Sequence, residues 1–95
     1  MIPKDEFDKV ISIAEKYSIR ELYLIGSALY KKPEEVNDYD FAVRGVPKGK
    51  FFKFYGELLR VMTKNVDLID LSGKKTKFKD IIRREGKLIY AGSKA

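Results

Sequence analysis

Over Pro3 to Tyr17, apolar residues recur at helical spacing: Phe7, Val10, Ile11, Ala14 and Tyr17 form one stripe, which predicts an amphipathic helix. Asp5, Glu6 and Asp8 lie in or near its first turn, where negative charge complements the helix dipole. After a connector, Ser18 to Glu21, the pattern changes. Leu22 to Ile25 is a short, continuously apolar run, as expected of a buried central strand. Gly26 and Ser27 end it, and Ser27 to Tyr30 is long enough for one helical turn. Lys31 to Glu35 is polar, and its Pro33 rules out a continuing regular helix. Asp38 to Val43 then reads as a strand, its two aspartates one residue apart and running into the apolar Phe41-Ala42-Val43.

The second half repeats these rhythms. Arg44 to Gly49 has the Gly and Pro content of a turn. Lys50 to Thr63 reads as a helix with Phe51, Phe54, Tyr55, Leu58, Leu59 and Met62 on its apolar stripe and Phe52 off it, exposed. Asn65 to Leu71 is a third strand. Ser72 to Lys77 is a basic turn, and Phe78 to Arg84 a short helix with Phe78, Ile81 and Ile82 inward, ended by Glu85-Gly86. Lys87 to Tyr90 is a last strand or extended tail, and Gly92 to Ala95 is expected to fray. The pattern predicts one α+β (mixed α/β) domain over residues 1–95, with a small central mixed sheet of three to four strands flanked by helices. A chain of 95 residues holds one core.

Composition narrows the chemistry. There is no Cys and no His, so thiol nucleophiles, disulfides, zinc-thiolate sites and the commonest general base are excluded. Catalysis has to rest on carboxylates, Lys, Arg, Tyr or Ser with a hard metal. No apolar run approaches the roughly 20 residues of a membrane span. The polar start MIPKDEFDKV is not a signal peptide, and a cytoplasmic location is expected. The net charge of +6 is uneven: residues 1–43 carry 6 Lys/Arg against 9 Asp/Glu, and residues 44–95 carry 14 against 5. A basic half beside an acidic stretch suits an anionic ligand such as ATP or nucleic acid. The plainer reading is a solvated Lys-rich surface, and no stacking-aromatic motif of a nucleic-acid module is present.

The stretch Leu24 to Val43, LIGSALYKKPEEVNDYDFAV, gathers the candidate site. Side chains alternate along a strand, so Asp38 and Asp40 share one face while Tyr39 and Phe41 take the other. Two neighbouring carboxylates repel each other unless a cation lies between them, and Mg2+ takes oxygen ligands while keeping waters and substrate phosphates. Gly26 permits close backbone approach to a ligand, and Ser27 at the start of a helical turn leaves N–H groups suited to a phosphate. The simpler reading of Asp38 and Asp40 is a strand with a polar outer face, which the Gly-Ser upstream makes the weaker choice. In the third strand, period two puts Asp67, Ile69 and Leu71 on one face and Val66, Leu68 and Asp70 on the other. A regular strand therefore offers Asp67 or Asp70 to that site, not both.

Gly-Ser, ten residues, then Asp-x-Asp resembles the minimal nucleotidyltransferases of the polymerase-β-like superfamily. The match is close over Leu24 to Val43 and looser over nearly the whole chain. Val66-Asp67-Leu68 resembles the context of the family's third carboxylate, which selects Asp67 and leaves Asp70 as the fallback or a strand-end cap. Where many relatives have Gly-Ser-Arg-x-x-Gly, this chain has Ala28, Leu29 and Tyr30, with Lys31 and Lys32 later. The resemblance implies a nucleotidyltransferase fold that moves AMP from ATP to a hydroxyl. Asp38, Asp40 and Asp67 would then be the catalytic residues and the ligands of two Mg2+ ions, with Gly26 and Ser27 holding phosphates. Stand-alone members resemble antitoxins whose partner is a helical HEPN-domain toxin, with a toxin tyrosine as acceptor. The alternative is a catalytically inactive module of the same fold that neutralises its partner by binding it.

Overall fold

The structure, a computed structural model, describes residues 2–92. Helix α1 spans Lys4–Lys16, strand β1 Glu21–Ile25, β2 Asp38–Arg44, helix α2 Phe51–Val61, β3 Asn65–Asp70, helix α3 Lys77–Glu85 and β4 Lys87–Ala91. Two short 3-10 turns, Gly26–Leu29 and Pro33–Glu35, lie between β1 and β2. Every predicted helix and strand is present, with ends moved by one or two residues. Of the tail expected to fray, residues 93–95 lie outside the described residues, while the Gly92 N–H donates to the Arg20 carbonyl at 2.8 Å.

The four strands form one mixed sheet in the order β3-β2-β1-β4. β1 runs antiparallel to both β2 and β4, and β2 runs parallel to β3. That parallel pair is what the α2 crossover requires, since parallel neighbours cannot be joined by a tight hairpin. The all-apolar run of β1 follows from its central place: Leu22 and Leu24 face one side of the sheet and Tyr23 the other, and all three are buried.

The two faces are covered unequally. On one, Leu22, Leu24, Phe41 and Val43 pack with Val10 and Ala14 of α1 and with Phe54 and Leu58 of α2. On the other, only α3 lies over the sheet, and Tyr23, Ala42, Leu71 and Ile82 make a small second cluster. α3 starts with the Thr76 Oγ1 accepting from Lys79 N at 3.1 Å, which satisfies one free N–H of its first turn. It is held to the sheet through Glu21. That carboxylate accepts from Arg44 Nε and Tyr23 Oη, both at 2.8 Å, and lies 3.9 Å from Arg83. The Arg44 bond, offset in part by burial, keeps Glu21 below its ordinary carboxylate pKa.

The apolar stripes are narrower than the sequence pattern implies. On α1 the fully buried set is Val10, Ile13 and Ala14, with Phe7 and Ile11 at its margin. On α2, Leu59 is exposed, as is Phe52. On α3 only Ile82 is buried, whereas Phe78 and Ile81, expected inward, are exposed. The reason is common to all three: in so small a domain each helix touches the sheet along one narrow line, and stripe-edge residues fall outside it.

Glu6 is buried at 5% exposure. One carboxylate oxygen accepts from the Thr63 N–H at 3.0 Å, and both accept from the Thr63 hydroxyl at 3.2 and 3.1 Å. It therefore links the start of α1 to the end of α2 rather than serving only the helix dipole. Glu6→Ala removes the charged acceptor of the part-buried Thr63 N–H and hydroxyl and is expected to lower stability by about 1–3 kcal/mol, while Glu6→Gln, which keeps one acceptor oxygen, loses less. Urea unfolding of the two variants checks this, and an alanine variant as stable as the parent would show the contact to be idle.

Candidate active site

The sheet face that α3 only partly covers carries the carboxylates. In β2, Asp38, Asp40 and Ala42 share this face, and Tyr39, Phe41 and Val43 are buried behind it. Asp40 pairs with Ile25 of β1 on one side and with Asp67 of β3 on the other. Asp38 pairs with Asn65. The parallel register thus brings Asp40 and Asp67 directly opposite each other, with Asp38 two residues along on the same side. Asp38 and Asp67 are exposed and Asp40 is half-buried.

Asp70 lies on the opposite side by strand alternation. Its carboxylate accepts from Ser72 N at 2.9 Å and from Ser72 Oγ at 2.7 Å. This is the strand-end cap, and it occupies the group that was the fallback for Asp67.

Gly26 follows β1 directly and opens the first 3-10 turn. Its φ is +75°, a conformation that L side chains disfavour. A Cβ there would lie 2.4 Å from Asp40 Oδ2. The turn is thus pressed against the central aspartate, and only a glycine allows it. The Ser27 carbonyl accepts from Tyr30 N at 3.0 Å and Lys31 N at 2.9 Å, which closes the turn. Ala28 is fully buried, so a small residue is needed there, and Tyr30 projects outward with 81% of its surface exposed.

The electrostatics follow from the placement. Burial pushes Asp40 above its ordinary carboxylate pKa, and the Asp67 and then the Asp38 carboxylates push the same way. A half-buried carboxylate facing two others holds a proton, or takes a cation, to relieve the repulsion. Among the described residues, no three acidic side chains form a ready metal cluster. What the face offers is an open arrangement: two carboxylates opposed across β2 and β3, a third nearby, and access to solvent. That donor set fits Mg2+, which keeps waters and takes substrate phosphate oxygens rather than a full cage of protein ligands.

This arrangement defines a nucleotidyltransferase fold: a mixed sheet, a Gly-Ser turn after its first strand, and aspartates on the two strands beyond. The chain belongs to the polymerase beta nucleotidyltransferase family, whose model matches residues 8–95. No curated protein matches it in sequence. Among solved structures it is similar to a chain of the toxin–antitoxin MntA–HepT, with a TM-score of 0.68 at 19% identity over 94% of this chain and 73% of that one. A toxin–antitoxin structure with AMP-PNP gives a TM-score of 0.68 at 20% identity, over 92% and 74%. A complex of the tri-AMPylated Shewanella oneidensis HEPN toxin with its MNT antitoxin gives 0.68 at 22%, over 93% and 71%. At these identities the likeness establishes the fold. Among the described residues, no helix is long and apolar enough to cross a membrane.

Proposed function

We propose that this protein transfers AMP from ATP to a hydroxyl of a partner protein, most simply a tyrosine of a helical HEPN-type toxin, and so acts as an antitoxin. The observation that carries the reading is the placing of Asp40 opposite Asp67 on one open sheet face, with Asp38 beside them and Gly26 packed against Asp40. Support for the substrate and partner comes from the similar structures, one holding AMP-PNP and one an AMPylated HEPN toxin.

In this mechanism Asp38 and Asp40 would hold a Mg2+ ion, and Asp67 would join them in holding a second. When bound, the two ions would neutralise phosphate charge and stabilise the attacking and leaving oxygens of an in-line displacement. The N–H groups of the Gly26–Ser27 turn and the Ser27 hydroxyl hold the outer phosphates. Asp67, exposed and at the sheet edge strand, receives the proton of the acceptor hydroxyl, a role open to it because the chain has no His. The acceptor oxygen bonds to the α-phosphorus, the bond to the bridging oxygen breaks, and pyrophosphate leaves.

The test is label transfer. The protein, Mg2+ and ATP labelled at the α-phosphorus are incubated with a host extract or with the product of the adjacent gene. A labelled protein band is expected, with the modified residue identified by mass. Label on RNA or a small molecule would keep the enzyme and replace the acceptor. The second reading, an inactive module that neutralises by binding, is favoured by the apolar Ala28-Leu29-Tyr30 turn. Absence of transfer to a partner that nonetheless forms a complex would establish it.

A further inference from the structure

Beside the aspartates is a cavity of about 250 Å³ between the Gly26 turn and α3. Ile25, Leu29, Ile69 and Ile82 line it. Phe78 and Ile81 of α3 and Tyr30 of the turn also line it, and these are exposed at 61%, 46% and 81%. Half of the six large exposed hydrophobics among the described residues thus surround one opening. Gly86 lets α3 approach: a Cβ there would lie 2.8 Å from Ile25 Cγ2. The cavity adjoins the catalytic face at three points. Gly26 touches Asp40, Ile25 pairs with Asp40, and Ile69 follows Asp67 by two residues on the same face.

We propose that this cavity docks the acceptor protein by receiving one apolar side chain from a segment that is otherwise acidic. The proposal rests on the protein-acceptor reading above and specifies which surface recognises that acceptor. Size argues for a single side chain, since the volume is below the roughly 300–1,000 Å³ of small-molecule sites. An apolar anchor in a pocket is also the usual centre of a protein interface. Charge argues for acidic flanks. Lys74, Lys75 and Lys77 lead into Phe78, all three are exposed, and none is ion-paired among the described residues. Lys79 is spent internally, its ammonium donating to the Ser72 and Lys74 carbonyls at 2.6 and 3.1 Å. A nucleobase needs edge partners, and the lining supplies little beyond Glu85 and the Tyr30 hydroxyl.

The experiment is fluorescence anisotropy without ATP, using three labelled tyrosine peptides. One has a Leu flanked by glutamates, one has lysines in place of those glutamates, and one has Ser in place of the Leu. The glutamate-Leu peptide is expected to bind at least about tenfold more tightly than either control. The margin over the Ser peptide is expected to vanish in Phe78→Ser and Ile81→Asp, and the margin over the lysine peptide in a Lys74→Glu, Lys75→Glu, Lys77→Glu variant, each checked by circular dichroism, while both survive in Asp38→Asn. Equal binding of the three peptides, or none, overturns the proposal. So does a loss of ATP affinity instead of peptide affinity in the Phe78 and Ile81 variants, which would make the cavity a base site. Single-stranded RNA binding that depends on the lysines alone would also overturn it. Because binding is read without chemistry, intact peptide docking with no label transferred to any partner protein refutes the transfer reading alone. Conversely, label transfer to a partner protein that is unchanged in Phe78→Ser and Ile81→Asp refutes the docking surface alone.

Discussion

Replacing Asp38 and Asp40 together by Asn is expected to reduce label transfer by at least about a thousandfold while the protein stays folded and still binds its partner. The magnitude follows from removing charge that the proposed mechanism uses in the transition state, where even one such group is commonly worth 10²–10³. The fold survives because, among the described residues, neither carboxylate is held in an ion pair: Asp38 is exposed, and Asp40 faces like charge. An amide is nearly the same size, so Gly26 keeps its packing neighbour. A double variant that transfers AMP at the parental rate would remove the proposed mechanism. One that loses transfer and partner binding together would point to a structural role instead.

Asp40 makes stability depend on pH, and its setting is expected to make stability depend on cation as well. Asp40 has a folded-state pKa above its unfolded value, chiefly through burial and then through Asp67. A carboxylate of that kind helps the folded state fully below its unfolded pKa, and the help is lost as pH rises through the folded one. At neutral pH without Mg2+, the repulsion therefore opposes folding, and the Asn variants melt above the parent. Added Mg2+ is expected to raise the melting temperature of the parent through binding to the folded state and to leave the double variant unmoved. Equal responses of the two proteins to Mg2+ would place the cation elsewhere.

Much of this was legible in the residues because the carrying patterns are local. Alternation alone put Asp38 and Asp40 on one face and separated Asp67 from Asp70, and the parallel register of β2 and β3 places Asp67 across from Asp40. Gly-Ser after an apolar run located the turn. What the sequence could not show is contact between distant segments. Glu6 looked like a dipole-stabilising residue because nothing local reveals that Thr63, 57 residues later, donates to it. Phe78 and Ile81 fit an inward stripe by spacing, yet α3 lies over the sheet along Ile82 and leaves both at the rim of a cavity. The exposed Tyr30 belongs to the same rim, so the apolar turn that departs from the family pattern becomes intelligible only beside α3.

Gly26→Ala is the smallest change expected to disable the site without touching a carboxylate. Its φ of +75° costs an alanine about 1–2 kcal/mol. The new methyl would stand 2.4 Å from Asp40 Oδ2 and 3.2 Å from its Cγ, closer than atoms pack. Something has to give, and the backbone is the stiffer party, since Ala28 is buried two residues on and the Ser27 carbonyl closes the turn. The Asp40 side chain is therefore the group that turns away, out of its place opposite Asp67. Displacing a reacting group by about 1 Å can cost roughly a hundredfold in rate, so transfer is expected to fall by about that factor, while the backbone strain lowers the melting temperature by roughly 4–16 °C with the fold retained. The Mg2+-dependent rise in melting temperature should shrink as well, because it reads Asp40's position without any chemistry. An alanine variant with parental transfer and a parental Mg2+ response would mean that Asp40 can move freely, and that the close approach of the turn is packing and no part of catalysis.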